Sequence, residues 1–250
     1  MPYTLELPSI SVVIATYNRP QSLARVVRQL SEQLFFRFEH LDCCVVDDGS
    51  QPQVGFSIDW GSLPFKAEYI YRERHPDDLP RVYSSRNIAI RHTHNDVILF
   101  LDDDLIFHPH ALFLIQLYHA FIPNCVLVPH LANRVAKHYY LIPFEIRREG
   151  PASWVTSAGM SCPRSLVEKV GGFDEEFDLS MGFADRDFGI RLVEAGGEVV
   201  LANGIPMMVD DSESQGSWRD RVLRRFDREH PGQTHPNWLK LIKKYPELAK

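Results

Sequence analysis

The sequence predicts an α/β fold with a mostly parallel central sheet flanked by helices, and three observations carry that prediction. Short apolar runs alternate with segments of helical periodicity through the first half of the chain. The apolar runs are bounded by turn-forming or acidic residues. The second half adds fewer, less regular elements of both kinds, and the chain closes in a basic, amphipathic helical segment.

Ser11 to Thr16 is apolar enough for a strand buried on both faces, and Asn18-Arg-Pro20 punctuates it. Leu23, Val26, Val27, Leu30 and Leu34 then recur at helical spacing, with Pro20 near the first turn, where a missing N–H costs little. Leu41 to Asp47 predicts a second strand, ending in Asp47-Asp48-Gly49-Ser50, and Ala67 to Tyr71 a third. A helix is expected from Val82 to His92, a strand from Asp96 to Leu101 running into three aspartates, and a helix from Pro109 to Phe121. Beyond these the pattern predicts a strand near Val126 to Pro129, an extended segment from Trp154 to Ser161, and a helix from Arg164 to Val170 stopped by Gly171-Gly172. A helix from Asp185 to Glu194 and a strand from Glu198 to Leu201 follow. No repeat or linker interrupts the series. The expected organisation is one domain over residues 1–217, a first half to about 107 and a second half from about 108, followed by a helical appendage over 218–250.

A chain of 250 residues, 44% hydrophobic and 24% charged, can bury a sizeable core. Its formal charge of −6 argues against a nucleic-acid-coating protein. The charge is uneven: nine Lys/Arg against four Asp/Glu from Trp218 to Lys250 give +5, leaving −11 for residues 1–217. Trp218, Val222, Leu223 and Phe226 interleave with five arginines there. Such a helix can dock on an anionic membrane surface or pack on the domain with a solvated basic rim. The sequence shows neither a signal peptide nor a membrane-spanning run. The four cysteines are scattered without a C-x-x-C pair, which suits a reducing cytoplasm, with peripheral contact at the inner face of the membrane as an option.

In open α/β sheets ligands gather beyond the carboxyl ends of the strands. Here three of those ends carry Thr16-Tyr17-Asn18-Arg19, Asp47-Asp48-Gly49-Ser50 and Asp102-Asp103-Asp104. Three adjacent carboxylates after an apolar strand repel one another and call for a cation. Oxygen ligands suit Mg2+ or Mn2+, which take one or two carboxylates and fill the remaining positions with water and substrate phosphates. The other reading of such a triplet is a solvated acidic turn.

Four motifs in order, Ser9-Ile-Ser-Val-Val-Ile-Ala-Thr-Tyr-Asn-Arg-Pro20, Val45-Val-Asp-Asp-Gly-Ser50, Ser85-Arg-Asn-Ile-Ala-Ile90 and Phe100-Leu-Asp-Asp-Asp104, resemble glycosyltransferase family 2, whose members have the GT-A fold with a Rossmann-like nucleotide-binding half. Gly171-Gly-Phe-Asp-Glu-Glu-Phe177 and Gly182-Phe-Ala-Asp-Arg-Asp-Phe-Gly-Ile-Arg-Leu192 extend the resemblance, so that it spans residues 9 to about 201. It implies a metal-dependent, inverting transfer of a hexose or hexosamine from a UDP-sugar to a hydroxyl of a glycan, lipid-linked or small-molecule acceptor. Carried over residue by residue, it implies that Thr16, Asn18 and Arg19 line the nucleotide pocket. Asp48 would pair with uracil, and Arg86 would face the nucleotide or its diphosphate. Asp102 would reach the ribose or metal region, Asp103 take the variable position, and Asp104 ligate Mn2+ or Mg2+. Asp185 matches the general base. Asp187 either orients the acceptor or caps its helix. Gly182 and Phe183, with Met181, are acceptor-side candidates, and Trp154 and Met160 could stack on a sugar or pack in the core.

Two departures matter. Ala184 stands where the family has Glu, and no histidine lies between Val199 and Gly216 to serve the metal; Asp210, Asp211, His230, His235 or water are the substitutes. The pairs His92/His94 and His108/His110 lack a third ligand at metal-site spacing and are expected at the surface. A nucleotidyltransferase of similar architecture is the rival enzyme class, disfavoured because no Gly-rich phosphate loop is present. A nucleotide-sugar-binding protein without turnover is the non-enzymatic alternative, motivated by Ala184.

Overall fold

The computed structural model describes residues 6–75, 78–133, 146–147, 151–152, 155–179, 182–210 and 234–249. Its first half alternates as the hydrophobic pattern requires: β1 (Ile10–Thr16), α1 (Pro20–Ser31), β2 (Leu41–Asp47), β3 (Lys66–Tyr71), α2 (Val82–Arg91) and β4 (Val97–Asp102). β5 (Leu105–Phe107), α3 (Ala111–Phe121), β6 (Cys125–Asn133), β7 (Ile146–Arg147), β8 (Ser161–Pro163), α4 (Arg164–Val170), α5 (Ala184–Glu194), β9 (Glu198–Val209) and α6 (Pro236–Lys244) complete the described elements.

One sheet carries both halves, in the order β3-β2-β1-β4-β8-β6-β9-β5, with β7 added on β9. The four strands on the β3 side are parallel, and their register sets Thr16 beside Asp47 and Ala15 beside Asp102. Three polar strand ends therefore lie in one row. β8 runs antiparallel to both β4 and β6, so it turns the parallel sheet into the mixed second half.

Apolar packing covers both faces. α1 buries Leu23, Val26, Val27 and Leu30 against one face of the sheet, each such burial being worth roughly 1.5–3 kcal/mol. Leu34, which continues the helical spacing in sequence, falls beyond the end of α1 and is half exposed. On the other face Phe100, Phe173 and Phe188 pack as a ring cluster with centroids 4.2–5.8 Å apart, tying β4 to α5. Met160 is fully buried in this cluster, so its fate is the core.

Two expectations are corrected. The extended segment from Trp154 contracts to the three-residue strand β8, with residues 155–160 outside any strand; Trp154 itself lies outside the described residues. The strand from Glu198 runs on to Val209 through Gly204 and Pro206, because a bulge between Pro129 and His130 keeps β6 paired beside it and β5 closes the other edge. The basic tail contributes α6, docked through Leu241 into the second core; Arg219 to Arg228 lie outside the described residues. Among the described residues no helix is long and apolar enough to cross a membrane.

Candidate functional site

The turn after β1 is shaped by its own residues. Asn18 adopts a positive φ of 53°, a conformation this side chain tolerates, and its N–H donates to Ser50 Oγ at 2.8 Å while its Oδ1 accepts from the Gln51 N–H at 3.1 Å. The β1 and β2 turns are thereby laced together. Asp47, fully buried, accepts from the N–H groups of Ser50 and Val54 and from the Tyr69 hydroxyl, which shapes the turn and leaves Asp48 as the carboxylate presented at its tip. Gly49 has a φ of +90°, and a Cβ there would come within 2.7 Å of Arg74 Cβ, so glycine is what lets Arg74 close on this turn.

Asp48 is held on three sides: Arg74 Nη1 and the Arg81 N–H donate to Oδ2 at 2.9 and 2.8 Å, and Arg81 Nε donates to Oδ1 at 2.9 Å. The Arg74 guanidinium also lies 3.9 Å over the Tyr17 ring. Tyr17 lies inside the first motif but carried no role there, and Arg74 and Arg81 belong to no motif of their own. A cavity of about 520 Å³, lined in part by Asn18, Pro52, Val54 and Phe56, opens beside this turn and contains none of the carboxylates.

At the end of β4 the three aspartates diverge. Asp103 is buried and accepts from Thr16 Oγ1 at 2.7 Å and from Arg19 Nη1 at 2.9 Å. The same Arg19 nitrogen reaches Asp104 at 2.6 Å. Asp102, the most exposed of the three, pairs with Arg86, which projects from α2 and is itself only 5% exposed. Burial pushes the Asp104 carboxyl up to about 7, with Asp102 and Asp103 adding to the rise and Arg19 opposing it. The triplet is short of positive charge. Among the described residues no three His, Cys, Asp or Glu are grouped so as to hold a metal ion by themselves. Hard oxygen donors from one or two carboxylates, completed by phosphate and water, are what Mg2+ and Mn2+ require, and Asp104 with Asp102 fits that demand.

Asp185 stands in the first turn of α5. Its Oδ1 accepts from Ser157 Oγ at 2.7 Å, and burial raises its pKa while Arg86 and Ser157 pull it back. Ser157, missed in the sequence, comes close because α5 has a glycine one turn on: a Cβ on Gly189 would lie 2.6 Å from Val155 Cβ and 2.7 Å from the Ala152 carbonyl. The mid-helix glycine was the available signal. Arg86 connects the two sides of the site, paired with Asp102 and acting electrostatically on Asp185.

Not every expected residue joins them. Asp187 lies two positions from Asp185, hence on another face of the helix, and is fully buried between Arg191 at 2.8 Å, Lys244 at 2.6 Å and the Tyr245 hydroxyl at 3.0 Å. It makes no side-chain cap and is enclosed by these three partners. Ala184 is fully buried in the core, so the position of the missing Glu is apolar packing here. Gly182 and Phe183 lead into α5, the Phe183 ring lying against His235 and Trp238. Of the metal substitutes, Asp210 pairs with Arg25 while its N–H donates to the Asp104 carbonyl at 2.7 Å, and His235 caps α6 by accepting the Asn237 N–H. His108 and His110 stack on each other at the surface, and His92 meets Glu68. Met181, Asp211 and His230 lie outside the described residues.

The fold is shared with solved glycosyltransferases. Staphylococcus aureus TarS 1–349 in complex with UDP-GlcNAc superposes with a TM-score of 0.66 at 16% identity, covering 92% of this chain and 69% of that one. Mannosyltransferase PcManGT from Pyrobaculum calidifontis, in complex with GDP-Man and Mn2+, gives 0.63 at 17%, covering 93% and 67%. These likenesses define the class, the GT-A fold. Residues 11–134 match the model of glycosyl transferase family 2, and the chain belongs to that family. It is 26% identical over 285 residues to validoxylamine A glucosyltransferase of Streptomyces hygroscopicus subsp. jinggangensis, covering 98% of this chain and 63% of that protein. It is 29% identical over 252 residues to pre-mycofactocin glycosyltransferase of Mycobacterium tuberculosis, covering 91% and 49%. The chain therefore spans about half to two thirds of the length of these curated relatives.

Proposed function

We propose that this chain is a metal-dependent, inverting glycosyltransferase that moves a hexose or hexosamine from a UDP-sugar to a hydroxyl of a glycan, lipid-linked or small-molecule acceptor. The observation that carries the reading is Arg86, buried between Asp102 at the end of β4 and Asp185 on α5, so that a cluster suited to a diphosphate faces an isolated carboxylate suited to a proton. The glucosyltransferase among the relatives and the UDP-GlcNAc bound by a structural neighbour support the donor class. The Mn2+ of another neighbour supports the cation.

In this scheme Thr16, Asn18 and Arg19 line the nucleotide pocket. Asp48 has about four lone-pair sites and three are used, which leaves one on Oδ1 for the N3–H of uracil. Arg86 and Arg19 face the diphosphate with Asp102 and Asp103 as their counter-charges. Mg2+ or Mn2+, held by Asp104 with Asp102 on the same turn, would supply neutralisation of the diphosphate leaving group. Asp185 keeps lone pairs beyond the one given to Ser157 and takes the proton of the acceptor hydroxyl. As that proton moves, the acceptor oxygen bonds to the anomeric carbon. The bond from that carbon to the diphosphate oxygen breaks on the opposite side, its electrons leave with UDP, and the configuration inverts. Gly182 and Phe183 border the acceptor.

A panel of nucleotide sugars with Mn2+ or with EDTA tests this. One UDP-sugar is expected to raise Tm by about 5 °C at a hundredfold excess over Kd, only with metal, and to release UDP slowly. Absence of any response to every nucleotide sugar overturns the reading.

A further inference from the structure

α6 lies far outside the region that matches the family model, yet its contacts converge on the approach to Asp185. Asn237, 3% exposed, donates from one amide nitrogen to two carbonyls, that of Phe177 at 2.8 Å and that of Gly182 at 2.9 Å. These two carbonyls flank the segment that begins with Asp178. Asp178 accepts from the Tyr83 and Ser84 N–H groups at the start of α2, both at 2.9 Å, and the Gly182 N–H donates to the Tyr83 hydroxyl at 3.2 Å. Phe177 and Gly182 are thus held by α6, and Asp178 and Gly182 by the helix that carries Arg86.

The chain next passes through Phe183 with a φ of 67°, a conformation a bulky side chain rarely adopts, and enters α5 one residue before Asp185. Such a turn persists when its surroundings over-determine it. Here the Phe183 ring packs on His235 and Trp238 of the α6 region, and the Gly182 carbonyl just before it is held by Asn237. The ion pairs of Lys240 with Asp174 and Glu176 dock the same helix but touch neither carbonyl.

We propose that Asn237 is a positioning residue for Asp185: by holding the Phe177 and Gly182 carbonyls it sets the turn from which α5 starts, and so the place of the carboxylate relative to Arg86 and the donor. The proposal rests on the reading of Asp185 as general base. It gives the C-terminal helix a part in turnover and none in donor binding.

The test compares Asn237→Asp, which keeps the shape but has no N–H to donate, with Lys240→Ala, which loosens the same helix at another point. Nucleotide-sugar binding by calorimetry gives Kd and sites per chain, and steady-state transfer gives kcat. Asn237→Asp is expected to bind one donor per chain with Kd within twofold of wild type while kcat falls tenfold or more; Lys240→Ala should keep kcat within twofold. If Asn237→Asp does not yield folded protein, Asn237→Ser carries the same criterion. A kcat within twofold of wild type overturns the proposal, as does a fall in kcat matched by an equal fall in sites per chain, which marks a purely structural role. A wild-type chain that transfers no sugar instead sinks the base assignment, and the role of Asn237 with it.

Discussion

At the strand ends four carboxylates meet arginines: Asp48 meets Arg74 and Arg81, Asp102 meets Arg86, and Asp103 and Asp104 share Arg19. On α5 Asp185 receives a serine hydroxyl and feels Arg86 only through space, whereas Asp187 on the same helix is clamped by Arg191 and Lys244. A guanidinium partner opposes the cost of burying a carboxylate's charge and fixes its place, as Arg19 does for Asp103 and Asp104. A buried carboxylate with one neutral donor gains most from taking a proton, because burial penalises its charged form. If Asp185 is the base proposed above, the contrast with Asp187 separates chemistry from architecture within a single turn of helix.

The largest effect should follow loss of the weakly held group. Asp185→Asn is expected to lower kcat by about 100-fold to 10,000-fold while donor binding persists, read by UDP release with acceptor and by the donor-induced rise in Tm. Retained turnover would remove the distinction between the two aspartates. Asp187→Ala should act on stability instead. It removes the buried carboxylate shared by Arg191 and Lys244, which keep the Val170 and Gly172 carbonyls and Asp174 as other partners, and costs about 2–4 kcal/mol in urea unfolding, less than a wholly buried pair because Lys244 is 36% exposed. Its donor Kd should stay put in the folded protein. The smallest and most specific change is Ser157→Ala. The Ser157 hydroxyl stabilises the ionised form of Asp185, so its loss raises that pKa further. A base works only when ionised, so the acid limb of kcat/KM moves to higher pH. A profile that does not move would show that Ser157 does not tune the base.

Much of the donor side is legible in sequence because it is local. Strand, turn and acidic end are contiguous in Val45 to Ser50 and in Phe100 to Asp104, and the hydrophobic pattern that buries the strand also aims its end. The acceptor side is not. Ser157 and Asp185 are 28 residues apart, and their contact depends on the close approach that Gly189 permits. Asp187 shares the motif spacing of Asp185, and only the docking of α6 beneath it decides that it is structural. The run of β9 through Gly204 and Pro206 shows the same limit, since those residues read locally as a break and pairing with β6 and β5 overrides them.

By itself the sequence determined the parallel first half, the row of polar strand ends and the family, because each rests on residues adjacent in the chain and on a period of apolar burial. The tertiary structure alone decided which arginine pairs with which aspartate, which of two aspartates on α5 is clamped by Arg191 and Lys244, and how a helix at the far end of the chain comes to hold the turn before it. Those outcomes depend on side chains brought together from distant positions, where burial and pairing set the energy of a charge and spacing along the chain does not.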